Sequence, residues 1–153
     1  MPAQWWAGKT IMQSISVNTG EIRLAINDDP QRVIAFNPND ALFAEKFYRL
    51  MGDFKRALTE YQNQIEALES DQATNDDGVP VNFEERLIIL KNASEFIRKQ
   101  IDTLFGPGTS TVVFGESLVM DAYAQFFEGI LPFIQKARTD KIAKYSNKPS
   151  RRK

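Results

Sequence analysis

The fold is decided by one stretch of sequence, Asn37–Ser70, which reads NPNDALFAEKFYRLMGDFKRALTEYQNQIEALES. Apolar side chains recur in it at steps of three and four residues, which places them on one face of a helix. Asn39 or Asp40 can accept a backbone N–H at the helix start, as N-cap residues do. The stretch therefore predicts a long amphipathic helix over residues 40–70. Its apolar face consists of Phe43, Phe47, Leu50, Met51, Phe54, Leu58, Tyr61, Ile65 and Leu68.

A second helix is predicted over residues 82–105. Asn82 and Glu85 resemble a capping box at its start, and Gly106 followed by Pro107 ends it. We expect its inward face to contain Phe83, Leu87, Leu90, Phe96, Ile97, Ile101 and Leu104.

A third helix is predicted over residues 116–145. Its apolar residues include Phe126 and Phe127, and Pro132 should kink it because proline removes one helical hydrogen bond. The residues between the second and third helices, TVVFG (Thr111–Gly115), are predicted to be briefly extended.

Alternating polar and apolar residues upstream of the long helix predict strands. Ser14–Val17 and Glu21–Ile26 flank the turn NTG, and Arg32–Phe36 follows a second turn, NDDP. This pattern predicts a small antiparallel sheet of two or three strands over residues 14–37.

These elements together predict an α+β fold in which the small N-terminal sheet packs on three helices, the first of them long. The pattern places them in one domain over residues 14–145. We expect an N-terminal extension over residues 1–13, which contains Trp5 and Trp6, and a basic, disordered tail over residues 146–153.

The composition excludes several kinds of chemistry. The 153 residues include no Cys and no His, so disulfides, Cys/His zinc sites and His general bases are all ruled out. No apolar run approaches the ~20 residues that span a membrane, and the first residues, MPAQWWAGKTIM, do not resemble a signal peptide. We therefore expect a cytoplasmic protein without a membrane partner.

Charge is unevenly distributed along the chain. The net charge is −1, yet residues 136–153 contain eight Lys or Arg residues and a single Asp. This basic segment, residues 136–153, could contact phosphates, but Tyr145 is its only aromatic residue, so nucleic acid is not the expected partner.

A glycine-rich loop, FGPGTSTVVFG (Phe105–Gly115), raises the possibility of a phosphate-binding site. A Walker A loop follows a strand and contains a lysine, whereas this loop follows a predicted helix and contains none. We therefore interpret it as a turn between helices.

An acidic loop, SDQATNDDGVPV (Ser70–Val81), has part of the spacing of a calcium-binding EF-hand. With Gly78 at the sixth position, however, Ala73 takes the first position and offers no side-chain ligand. We interpret the loop as a solvated connection. The paired carboxylates Asp28/Asp29, Asp76/Asp77 and Glu84/Glu85 lie at turns or a helix start, so we predict no catalytic, cofactor or metal site and no enzyme.

The order of these pieces resembles a known family. ISVNTGEIRLAINDDPQRVIAFNPNDALFAEKFYRL (Ile15–Leu50) leads into a long helix, and IRKQIDTLFGPGTSTVVFGES (Ile97–Ser117) leads into a helix with Phe126 and Phe127. This pattern over residues 14–145 resembles the tail assembly chaperone-like proteins of bacteriophages and prophages. The resemblance implies a non-enzymatic factor in the host bacterial cytoplasm that binds the helical tape-measure protein during tail morphogenesis.

Two other classes of function remain open at this point. One is a structural tail or connector component of the virion, and the other is a nucleic-acid-binding or host-modulating phage protein. A client-binding role would use apolar residues of the first and third helices, and self-association through such residues is also possible. The candidate contacts are Phe43, Phe47, Phe54, Leu58, Tyr61, Phe126 and Phe127.

Overall fold

A computed structural model describes residues 12–69 and 73–147. The predicted extension over residues 1–13 and the tail over residues 146–153 lie almost wholly outside these ranges. The described elements follow the order of two strands and then four helices. The predicted α+β class is therefore confirmed, with two differences in detail.

The first difference is in the sheet, which among the described residues has two strands and lacks the third strand that the sequence also allowed. β1 (Ile22–Ile26) and β2 (Asp29–Phe36) pair antiparallel. Asn27 and Asp28 join them, both with positive φ, as a tight two-residue hairpin turn requires. The predicted strand Ser14–Val17 is wrong, because residues 14–17 form no strand. The NTG turn that follows them is instead held by Asn37, just after β2, whose side-chain amide donates to the carbonyl of Thr19 at 2.8 Å.

β2 contains a bulge, and Arg32 next to this bulge connects the sheet to the helical part of the chain. The register changes after the pair Ala25–Val33, and Ile26 pairs with Asp29. Pro30 lies in this irregular part, where its missing N–H costs no ladder bond. Arg32 emerges from the bulge and donates to the carbonyls of Val112 and Val113 at 2.9 and 2.7 Å.

The two long predicted helices are α1 (Ala41–Glu69) and α2 (Phe83–Phe105). Asp40 caps α1, because its carboxylate accepts the N–H of Leu42 at 2.9 Å. The helices form an antiparallel hairpin whose ends are joined by Asn82, which donates to the carbonyl of Leu68 at 2.8 Å. The predicted capping box is wrong, since the Asn82 side chain makes no capping bond and instead accepts from Arg86.

The second difference lies between the hairpin and the last helix. The residues predicted to be extended belong to a short helix, α3 (Thr109–Phe114). The carboxylate of Asp102 on α2 accepts the backbone N–H and the hydroxyl of Ser110 at 2.7 and 2.9 Å. This bond satisfies the start of α3 and overrides the extended preference of its β-branched residues.

The last helix, α4 (Met120–Asn147), starts four residues later than predicted and includes the first two residues of the predicted tail. It continues through Pro132. It runs antiparallel to α1, since the Phe127 ring lies 4.9 Å from that of Phe54 and Arg138 donates to the carbonyl of Asn39 at 2.9 Å.

The core lies where β2, α1, α2 and α4 meet. It is rich in aromatic rings: Phe105 packs edge-on against Phe36, Phe43, Phe47 and Phe126. Burying one such side chain stabilises a fold by roughly 1.5–3 kcal/mol. The buried core residues are Ile34, Phe36, Ala44, Phe47, Leu50, Phe54, Ile97, Ile101, Tyr123, Phe126, Phe127, Ile130 and Ile134.

The hairpin extends beyond this core. The last buried residue of α1 is Phe54 and the first of α2 is Ser94. Residues 55–69 and 83–93 therefore form a two-helix projection, which we call the arm. From Phe54 to Glu69 it is about 22 Å long at 1.5 Å per residue.

Candidate partner-binding site

The seven residues predicted to contact a partner divide into two groups. Phe47, Phe54, Phe126 and Phe127 are buried in the core, and Phe47 has no exposed surface at all. The described fold therefore does not offer these four side chains to a partner, because they already contact one another. Phe43, Leu58 and Tyr61 are half-buried and remain accessible in part.

Tyr61 lines a groove between α1 and α2, which we call the distal groove. Its volume is about 620 Å³. Ala57 and Tyr61 line it from α1, and Ile89, Ala93 and Phe96 line it from α2. Phe96 is 44% exposed, so its ring is accessible to solvent. The floor of the groove is thus apolar and aromatic.

The rim of the distal groove is polar. Asp53 and Arg56 form an ion pair one turn apart on α1. Glu60 accepts from the side chain of Gln64 at 3.4 Å, further along the same helix. Asn92 and Gln100 complete the rim on α2. An apolar floor with a polar rim is the arrangement found in surfaces that bind an amphipathic helix.

Sequence periodicity assigned Phe96 to the wrong environment. Phe96 and Ile97 were both predicted to face inward, yet successive helical residues point about 100° apart, so the two cannot share one direction. Ile97 is 1% exposed and occupies the core. Phe96 consequently faces the groove, and this adjacency was the signal in the sequence that could have found it.

The glycine loop is the helix connection that the sequence predicts. The N–H of Gly106 donates to the carbonyl of Asp102 at 2.9 Å and ends α2. Gly108 is in the left-handed conformation directly before α3. Both glycines are therefore explained by backbone geometry, as the interpretation of the loop as a turn requires.

The acidic loop is stabilised by hydrogen bonds between its own backbone N–H groups and the side chain of Asn75. The side-chain oxygen of Asn75 accepts the N–H groups of Asp77 and Val79 at 2.9 and 3.0 Å. With Gly78 at the sixth position of the EF-hand spacing, Asn75 is at the third, and its side-chain oxygen is thus already engaged within the loop. Among residues 12–69 and 73–147, no group of acidic side chains is arranged to hold a metal ion. Within the same part of the chain, no helix is both long and apolar enough to cross a membrane.

Comparison with known proteins gives one match. No curated protein and no solved structure is significantly similar to the chain. Residues 31–153 match a protein family described as "Family of unknown function (DUF6673)". The match covers all but the first two residues of β2 and all four described helices, and so includes both sides of the distal groove. The chain belongs to the DUF6673 family.

Proposed function

We propose that this protein is a non-enzymatic, tail assembly chaperone-like factor that binds the helical tape-measure protein in the host bacterial cytoplasm. The observation that supports this proposal is the distal groove. It presents Tyr61, Ile89 and Phe96 to solvent between two parallel ridges of polar side chains. The resemblance of residues 14–145 to tail assembly chaperone-like proteins supplies the identity of the client.

The groove suits a helix better than a small ligand. It follows the seam between α1 and α2 from Gln100 to Ile89, so it is elongated rather than closed. A third helix packed along such a seam lies about 8–10 Å from its neighbours and buries one apolar stripe. Exposed aromatic residues supply most of the binding energy in contacts of this kind. A long helical client can offer such a stripe along its length.

The chemistry of the groove also supports a binding role. Its titratable residues are Asp53, Arg56, Glu60 and Tyr61, and Asp53 and Arg56 pair with each other. Because the sequence has no Cys or His, Cys nucleophiles and His general bases are missing. The groove therefore offers contact surface rather than a reacting group.

Co-expression with the tape-measure protein of the same phage or prophage tests the proposal. The wild-type chain should co-elute with a soluble client in affinity pull-down and size exclusion. The double variant Ile89→Ser/Phe96→Ser should lower the affinity by roughly 30–1,000-fold, because each of the two removed anchors contributes about 1–2 kcal/mol.

Tyr48→Ser provides the matched control. Tyr48 is 43% exposed, about as much as Phe96, and lies on α1 outside the groove lining. Its loss should leave client binding unchanged. An insoluble client beside a free wild-type chain would contradict the proposal. So would a stoichiometric amount of the protein in purified virions, which would support a structural tail or connector component.

A further inference from the structure

The second face of the arm suggests self-association, which goes beyond the proposed client binding. We propose that copies of this chain associate head to tail, with the C-terminal end of α4 of one copy lying along the inner face of the next copy's arm. The inner face is the side of the arm that continues the core surface. It consists of Leu58, Ile65, Phe83, Leu87 and Leu90.

Helical spacing places these residues on the core side of the hairpin. Leu58 follows the buried Phe54 by four residues, and Ile65 follows Leu58 by seven. On α2, Leu90 precedes the buried Ile97 by seven residues and Phe83 precedes Leu90 by seven. Residues at these separations share one face of a helix. The inner face is thus the same surface that α4 covers further down the hairpin.

In the described chain this apolar surface is only partly covered. Phe83 is 50% exposed, and Leu58, Ile65, Leu87 and Leu90 are half-buried. Side chains at the centre of the core, such as Phe47 and Ile101, are by contrast fully buried. A third helix laid on the inner face would extend the packing that α4 makes against Phe47 and Phe54.

The C-terminal end of α4 extends past the start of α1, so it continues beyond the α1–α2 hairpin on which the rest of α4 packs. Ala137 is the last buried residue among those of α4 whose burial the structure describes, and the helix continues from Arg138 to Asn147, about 15 Å. Ile142 lies in this part and is 65% exposed. Arg138 contacts Asn39 at the start of α1, so the rest of α4 points away from its own arm. Only another molecule can bring the two surfaces together.

Charge complementarity selects a second copy as the occupant. The tip of the arm and the described part of its loop, residues 60–69 and 73–85, carry seven carboxylates and no basic side chain, and the basic residues of the arm are Lys55, Arg56, Arg86 and Lys91. Residues 141–153 carry six Lys or Arg residues and no acidic one. Opposite charges at the two ends of one molecule steer copies into head-to-tail contact. Such a contact uses the arm of one copy and the end of α4 of the other. It leaves one arm and one helix end of the pair free, so further copies can add in the same way.

Sedimentation velocity of the full chain, freed of nucleic acid, tests this arrangement without any client. We expect species larger than the monomer at about 50 mM salt, and their loss at about 500 mM salt as screening increases. Two charge reversals should each give a monomer. They are Glu66→Lys/Glu69→Lys/Glu84→Lys on the arm and Lys141→Glu/Lys144→Glu/Lys148→Glu in the C-terminal part of the sequence, the first two of these within α4.

The decisive sample is an equimolar mixture of the two reversed variants. A positive arm then meets a negative helix end, and a negative arm meets a positive one, so association should return. Self-pairing of arms or of helix ends is tested by the wild-type chain itself, because either contact would bring like charges together and would weaken, not strengthen, as the salt concentration falls. Ile142→Ser, which changes no charge and lies on an exposed position, should also weaken association at least several-fold.

The matched control is Glu21→Lys/Glu116→Lys/Glu128→Lys. These residues are exposed and lie outside the arm, and their reversal changes the net charge as the arm variant does. It should associate like the wild-type chain. A monomeric wild-type chain at low salt, a mixture that stays monomeric, or a control that dissociates equally would each overturn the proposal. Client binding through the distal groove would stand in all three cases.

Discussion

Arg98 Nε donates to the hydroxyl of Tyr123 at 2.9 Å, and this bond joins α2 to the start of α4. The other guanidinium nitrogens donate at 2.7 Å to the carbonyls of Gly115 and Ser117. The guanidinium carbon also lies 5.6 Å from the centroid of the Phe114 ring. One side chain therefore fixes α3, the following turn and α4 relative to the hairpin.

Arg98→Ala should lower the free energy of unfolding by about 2–3 kcal/mol. The change leaves two carbonyls and the hydroxyl of Tyr123, whose side chain is fully buried, without their donor. Arg98→Lys should recover only part of this loss, because an ammonium group does not reproduce the planar fork. Urea unfolding followed by circular dichroism measures both values.

The control for Arg98 is Arg49→Ala. Arg49 pairs with Glu45 at 2.7 Å, but both side chains are more than half exposed. Its removal should change stability by no more than about 0.5 kcal/mol. Equal effects of the two alanine variants would show that Arg98 does not join the elements as described.

Ser94→Ala should stabilise the protein by about 1 kcal/mol. Ser94 is 1% exposed, and its hydroxyl has no hydrogen-bond partner among the described residues. Alanine removes the buried, unsatisfied hydroxyl and has a higher helix propensity. Thermal unfolding of the two proteins checks the sign. A clear loss of stability would mean that a water or another group satisfies the hydroxyl.

Gly20→Ala should destabilise the fold more than Gly78→Ala. Both glycines have positive φ, which alone costs a β-carbon roughly 1 kcal/mol. At Gly20 the added carbon would also lie 2.2 Å from the side-chain amide of Asn39, whereas nothing lies within 4 Å at Gly78. The difference between the two unfolding free energies isolates the clash. Equal losses would contradict the close approach of Gly20 to Asn39.

Asp102→Ala should loosen α3 while leaving the arm intact. It removes the acceptor for both the N–H and the hydroxyl of Ser110, at a cost of about 1–2 kcal/mol. Amide hydrogen exchange should speed up over residues 109–114 and stay unchanged over residues 55–69. Asp102→Asn, which keeps one acceptor oxygen, should show a smaller effect. Uniform acceleration across the chain would argue against this local role.

Much of the helical framework could be predicted from periodicity. The predicted helices over residues 40–70 and 82–105 agree with α1 and α2 to within one residue at each end. Their apolar stripes are long and their ends carry clear stop signals. The local sequence predicted secondary structure less well where contacts between distant residues determine it. α3 depends on Asp102, which precedes Ser110 by eight residues, and Asn37 holds the turn that follows the segment predicted as the first strand.

The candidate site shows a different limit. Apolar spacing identifies which residues share a face, but not which element covers that face. Phe54 and Leu58 are equivalent on the helix surface, yet Phe54 is buried beneath Phe127 and Leu58 lies where the core ends. The length of α4 and its direction decide that difference. Neither could be obtained from the pattern within α1.

The continuity of α1 gives the molecule a mechanical property. The same unbroken helix is clamped in the core at Phe47 and Phe54 and continues freely into the arm. It therefore behaves as a lever with its pivot near Phe54. A tilt of about 5° at that pivot displaces the far end, about 22 Å away, by roughly 2 Å. Small adjustments in how two phenylalanine rings pack are thus magnified at the tip of the arm.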